Sequence, residues 1–114
     1  MYLLEFKFNK QKIIEDDEYD LAEFYRVIRI MFARENLIEM ETADGSLWFK
    51  DNGGEQDYGA MWGITLSLSD EEWFAKYIEK MYWYDDERQP GVFDYEDVLA
   101  TYRRRKVGAF ENEY

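Results

Sequence analysis

Hydrophobic positions along this chain follow two different periods, and the switches between them mark its elements. Leu4, Phe6 and Phe8 alternate with Glu5, Lys7 and Asn9, the period of a strand with one wet face. From Leu21 the spacing lengthens, and Leu21, Phe24, Tyr25, Ile28, Met31 and Phe32 form one stripe at helical spacing, with Glu23, Arg26 and Arg29 outside it. The run Glu15-Asp16-Asp17-Glu18 reads as an acidic turn before Asp20, which caps the helix, with Glu23 completing a capping box and Tyr19 and Phe24 as the staple pair. A helix is predicted over about residues 20–35.

The period then returns to two. Ile38, Met40 and Thr42 alternate with Glu39 and Glu41, Asp44-Gly45 supplies a tight turn, and Leu47-Trp48-Phe49-Lys50 comes back as the second arm of a hairpin. After a loop at Asn52-Gly53-Gly54, Tyr58 to Leu68 reads as a long strand, with Ile64, Leu66 and Leu68 on one face and Gly59 and Gly63 as local weak points. Ser69-Asp70-Glu71-Glu72 has the form of a capping box, which starts a second helix at Asp70 and carries the stripe Phe74, Tyr77, Ile78 and Met81. Gln89-Pro90-Gly91 breaks it, and Asp94 caps a third helix through Val98, Leu99 and Tyr102, closed by Arg103-Arg104-Arg105-Lys106 and Gly108.

The predicted order is β-α-β-β-β-α-α: an α+β fold with a mostly antiparallel sheet and helices packed largely on one face. Turns between the middle strands are too short for crossover helices, so only the first strand has the freedom to pair in parallel. No linker, repeat or low-complexity segment divides the chain, and residues 1–114 are expected to form a single compact domain.

Composition changes the picture from fold to function. Asp and Glu number 26 against 14 Lys and Arg, a net charge of -12, yet the chain carries 4 Trp, 10 Tyr and 8 Phe, enough for a core and unlike an acidic disordered segment. That charge repels nucleic-acid backbones and anionic membranes, so neither is an expected direct partner. Charges interrupt the N-terminal apolar residues, so no secretory signal is read there, and no stretch reaches the roughly 18 apolar residues of a membrane span. A cytoplasmic location is expected.

Catalytic chemistry finds little to work with. There is no His and no Cys, which removes the commonest general base, the thiol nucleophile and any His or Cys metal site. The Ser and Thr residues therefore lack an imidazole to activate them, and Asn52-Gly53-Gly54 is followed by Glu55 without the lysine of a phosphate loop. Asp51, Asn52, Glu55 and Asp57 do not follow the order of a calcium loop. No catalytic residue, cofactor or metal is assigned, and the chain is read as a non-enzyme.

Helix capping and the helix dipole account for Asp20, Asp70, Glu71, Glu72, Asp94, Glu96 and Asp97. The remaining acids point to a basic protein partner, with aromatic residues among them as anchors. The candidate contact set is Tyr82, Trp83, Tyr84, Asp85, Asp86 and Glu87, with Glu39, Glu41, Asp51, Glu55 and Asp57. Two roles fit: an inhibitor or immunity-type protein that blocks a basic active site, or a phage or mobile-element mimic of DNA charge. A third treats the acidity as serving solubility alone. The basic island Arg103 to Lys106 also permits a homo-oligomer in which it meets an acidic patch on a second copy.

Overall fold

A computed structural model describes residues 1–103. Its elements run β1 (Tyr2–Phe8), α1 (Lys10–Asp16), α2 (Leu21–Arg34), β2 (Ile38–Met40), β3 (Leu47–Lys50), α3 (Asp57–Ser69), α4 (Glu72–Tyr77), β4 (Ile78–Gln89) and β5 (Val92–Asp97), followed by a helical segment, α5 (98–103). The strands form one sheet in the order β2-β3-β1-β4-β5, antiparallel at every pairing. The α+β class and the antiparallel sheet agree with the sequence, and the predicted opening order fits roughly, with an additional helix, α1, ahead of α2; β1 also pairs antiparallel on both sides.

Alternation in β1 sends Leu4, Phe6 and Phe8 into a core beneath the helices. Phe6 lies at its centre, with ring centroids 6.0 Å from Phe32 of α2, 6.3 Å from Phe49 of β3 and 5.8 Å from Phe74 of α4. Phe32 and Phe49 stack at 3.9 Å. From α3, Met61, Ile64 and Leu68 complete this layer. On the same face Phe8 meets Phe24 of α2 and Phe74 of α4.

Local chemistry explains the boundaries. Asp20 caps α2 by accepting from the Ala22 N–H, and the predicted staple pair Tyr19 and Phe24 meets at 5.5 Å. Gly45 takes φ +78° in the β2–β3 turn, a left-handed conformation that glycine adopts without strain. Asn9 caps α1, which the acidic run had concealed: Glu15 and Asp16 end that helix and Asp17 closes it at φ 51°.

Three segments differ from the sequence reading. Residues 57–69 are helical, because Met61, Ile64, Thr65 and Leu68 bury at spacings of three, one and three, while the apparent alternation through Leu66 points that residue outward. Helical geometry also satisfies the buried hydroxyls of this segment: Thr65 donates to the Met61 carbonyl at 2.9 Å and Ser69 to that of Thr65 at 2.8 Å. That second bond takes the Ser69 side chain away from the expected capping box, so α4 begins only at Glu72, without a side-chain cap, and is short.

From Ile78 the chain is extended rather than helical. Tyr82-Trp83-Tyr84 cannot share one helical face, and in β4 they alternate across the sheet. Gln89-Pro90-Gly91 ends no helix but turns β4 into β5, with Gly91 at φ +82°. Asp94 consequently lies in a strand, and it is Asp97 that accepts from the Ala100 N–H at 3.0 Å and opens the last helical segment. Arg104 to Lys106 and Gly108 lie outside the described residues.

Candidate functional site: an uncovered sheet face with aromatic residues

No described helix packs on the second face of the sheet. The registers place Glu5 between Trp48 of β3 and Tyr82 of β4, and Tyr84 between Leu3 and Tyr95. Trp48 and Tyr84 stand on the two strands that flank β1, and their rings meet above it, stacked at 5.2 Å. Tyr82 stacks on Tyr95 at 5.7 Å, and Tyr84 lies 6.3 Å from the same ring. Four aromatic residues thus run obliquely from β3 to the edge strand β5, ending in Tyr95, which is 69% exposed. Ile38 and Met40, exposed on β2, add apolar surface at the other edge.

Glu5 sits under this roof at 3% exposure, although it belongs to the uncovered face. Its Oε1 accepts from the Tyr84 hydroxyl at 2.9 Å and pairs with the Lys80 ammonium at 3.2 Å. Lys80 in turn lies over the Tyr82 ring, 4.8 Å from its centroid. Burial, and then the bond to Glu5, push the Tyr84 hydroxyl well above the ordinary tyrosine range. A buried carboxylate of this kind is held by its partners and not by water.

Charge is unevenly spread over this face. Lys7 and Lys80 stand opposite each other at one end, and Lys50 faces Leu3. Acids line the edge strand β5, where Asp97 shares this face with Tyr82 while Glu96 and Asp94, paired with Trp83 and Asp85, belong to the helix-covered face, and others gather at the end of the sheet where β1 begins. There the N-terminal ammonium contacts Asp86 at 2.7 Å. Its pKa rises through that hydrogen bond and through the nearby Asp51 and Glu87. Asp86 also accepts from the Gly91 N–H, and this bond, then the ammonium, hold its carboxyl below the usual range.

The sequence-predicted contact residues therefore separate. Tyr82 and Tyr84 lie on the uncovered face. Trp83 does not: it is 4% exposed, under α3, stacked on Trp62 at 4.9 Å and near Tyr2 and Tyr58. Asp85 accepts from the Trp83 indole N–H at 3.1 Å, Glu87 accepts from the Tyr2 hydroxyl, and Asp51 accepts from the Tyr2 N–H at 2.8 Å. These acids clasp the end of the sheet before they offer anything to a partner. Glu39 pairs with Arg29 at 2.9 Å, and Glu41 is exposed beside β2. Asp57 is largely buried and latches the glycine loop, its Oδ2 accepting from the N–H groups of Asn52 at 2.6 Å and Gly54 at 3.0 Å; Glu55 is exposed in that loop.

Sequence reasoning missed Glu5, Trp48 and Tyr95. Glu5 was placed on the wet face, but nothing local told of the roof above it. Tyr95 was assigned to a helix; the signal for a strand was Pro90-Gly91 between two aromatic-rich arms. Among the described residues no group of carboxylates is arranged to hold a metal ion, and no helix is long and apolar enough to cross a membrane. Comparison with protein-family models, with curated proteins and with solved structures finds no match for this chain.

Proposed function

We propose that this chain is a non-catalytic binding domain that engages a basic protein surface, in the manner of an inhibitor or immunity-type protein. The observation that carries this reading is the row Trp48, Tyr84, Tyr82 and Tyr95 on a sheet face that no described helix covers, beside an edge strand bearing Asp94, Glu96 and Asp97. Tyr and Trp are the residues that most often dominate binding energy, because they bury large area with few rotatable bonds. Acids at the rim steer a cationic partner toward them, while Lys7 and Lys80, opposite each other at the end of the sheet away from the β1 start, discourage it there and so bias its orientation.

A mimic of DNA would present carboxylates in a regular row. Here the acids of β5 are interleaved with Val92, Phe93 and Tyr95, and several others are engaged within the chain, which favours a compact patch. The test is affinity capture from extract of the cell that makes the protein, run with the native chain and with Tyr95→Ala. Tyr95 is the most exposed of the four, so its loss leaves the fold intact. A basic protein retained by the native chain and lost with the variant is the expected result. Equal recovery by both would remove this face from the reading.

A further inference from the structure

Helix α3 is unusual for so charged a chain. Between Asp57 and Ser69 it has no other ionisable side chain except Tyr58, and its outward positions are Tyr58, Gly59, Gly63, Leu66 and Ser67. Tyr58 is 49% and Leu66 55% exposed. A helix without a charged outer face is normally covered. Between this face and α5 lies an open cavity of about 280 Å³, walled by Tyr58, Trp62, Leu66, Val98 and Tyr102, with Glu96 of β5 in its lining. One side of the Trp62 ring is stacked on Trp83, and Tyr58 meets it at 64°, so the two rings form adjoining walls.

Among the described residues, Glu96 is the only carboxylate in that lining, and no Lys or Arg accompanies it. Among the described residues it has no ion pair; its one bond is a long one, 3.4 Å, from the Thr101 hydroxyl. A carboxylate without a counter-ion beside aromatic and aliphatic walls is complementary to a side chain with an apolar stem and a cationic head. We propose that this cavity receives a lysine or arginine side chain of the protein partner, its stem against Leu66 and Val98, its charged head between the aromatic rings and Glu96. This rests on the proposed binding of a basic protein and names where one cation of that partner enters. β5 forms the common wall, since Tyr95 stands on the uncovered face while Glu96 points to the cavity. A partner gripping that edge reaches both.

The site can be tested without the partner, so its failure is separable from that of the capture experiment. The probe is n-butylguanidinium, titrated against the full chain and followed through the indole N–H resonances, with Trp62 assigned by Trp62→Phe. The Trp62 indole N–H has no hydrogen-bond partner among the described residues, which makes its resonance a sensitive reporter. A saturable shift in the millimolar range is expected, as a single side-chain contact allows. Glu96→Gln should weaken it about fivefold, the worth of one ion pair near water, with the other three indole resonances unmoved as the sign of an intact fold. The neutral isostere n-butylurea should bind more weakly by a similar factor.

Equal binding of the urea, or an unaltered affinity in Glu96→Gln, would overturn the cationic assignment. No Trp62 shift up to about 50 mM, well beyond a millimolar constant, would overturn the site itself. A Trp62 shift on changing Arg104, Arg105 and Lys106 to Gln, with no probe added, would overturn the partner's claim in favour of the chain's own basic island.

Discussion

Removing one hydroxyl, in Tyr84→Phe, isolates the bond on which the buried Glu5 depends. The ring remains, and with it the stacking on Trp48 at 5.2 Å. What is lost is a 2.9 Å hydrogen bond to a carboxylate whose side chain is 4% exposed, so water has little access to replace it. A hydrogen bond to a charged group contributes about 1.5–3 kcal/mol. The Lys80 side chain is 36% exposed, so solvent screens its attraction and it makes up little of the deficit. The expected loss is about 2 kcal/mol, which in a domain of this size lowers Tm by roughly 8 °C. Glu5→Leu, which leaves the Tyr84 hydroxyl and Lys80 without their acceptor, should cost about 3 kcal/mol. The double variant should be far less destabilised than the sum, because replacing both partners by apolar groups leaves no polar atom stranded. Equilibrium urea unfolding followed by Trp fluorescence measures all three, with the m-value checked for constancy. A Tyr84→Phe protein within about 0.5 kcal/mol of the native chain, or strictly additive variants, would falsify the claim that the aromatic roof keeps Glu5 from water.

Two further outcomes follow from bonds described above. Asp57→Ala removes the acceptor for the N–H groups of Asn52 and Gly54 and should destabilise the protein by about 1–3 kcal/mol, with faster hydrogen exchange at those two amides; unchanged exchange at both would show that the latch is not closed in solution. At alkaline pH the raised Tyr84 pKa makes this hydroxyl a source of stability that is fully present below the ordinary tyrosine value of 10.0 and declines as pH rises through the higher folded value. In a spectrophotometric titration Tyr84 should be among the last tyrosines to ionise, so Tyr84→Phe should remove a late phase and not an early one.

Where one residue's neighbours in sequence dictate its environment, the chain could be read directly. Asp20 with its staple, the Asp44-Gly45 turn and the alternation of β1 depend on contacts within a few residues, and each lies where the pattern placed it. The failures have a common physical cause. In residues 57–69 both periods find apolar residues to satisfy them, and the choice is made by packing of Met61 and Leu68 against the core. At Ser69 one hydroxyl had two uses, and burial favoured the carbonyl of Thr65 over the cap. Tyr82 and Tyr84 stand out in the sequence as aromatic residues beside acids, but the face they share becomes visible only in the strand β4. Glu5 was illegible in principle: its cover comes from Trp48 and Tyr84, both remote in sequence. The acids of Asp85 to Glu87 were conspicuous as charge, but their ties to Met1, Tyr2 and Trp83 exist only once the sheet has closed.

The position of β1 at the middle of the sheet also sets the order of events in synthesis. β1 has no neighbour to pair with until β3 appears, and its other side waits for β4, where the contact from Met1 to Asp86 spans 85 residues. Closure of so long a loop before it is rewarded makes for slow assembly. Until β4 is available, the nascent chain holds a strand bearing Leu4, Phe6 and Phe8 with an open flank, a template for pairing with other chains. Its interrupting charges, Glu5 and Lys7, then act as gatekeepers against aggregation during the interval in which the sheet is only half built.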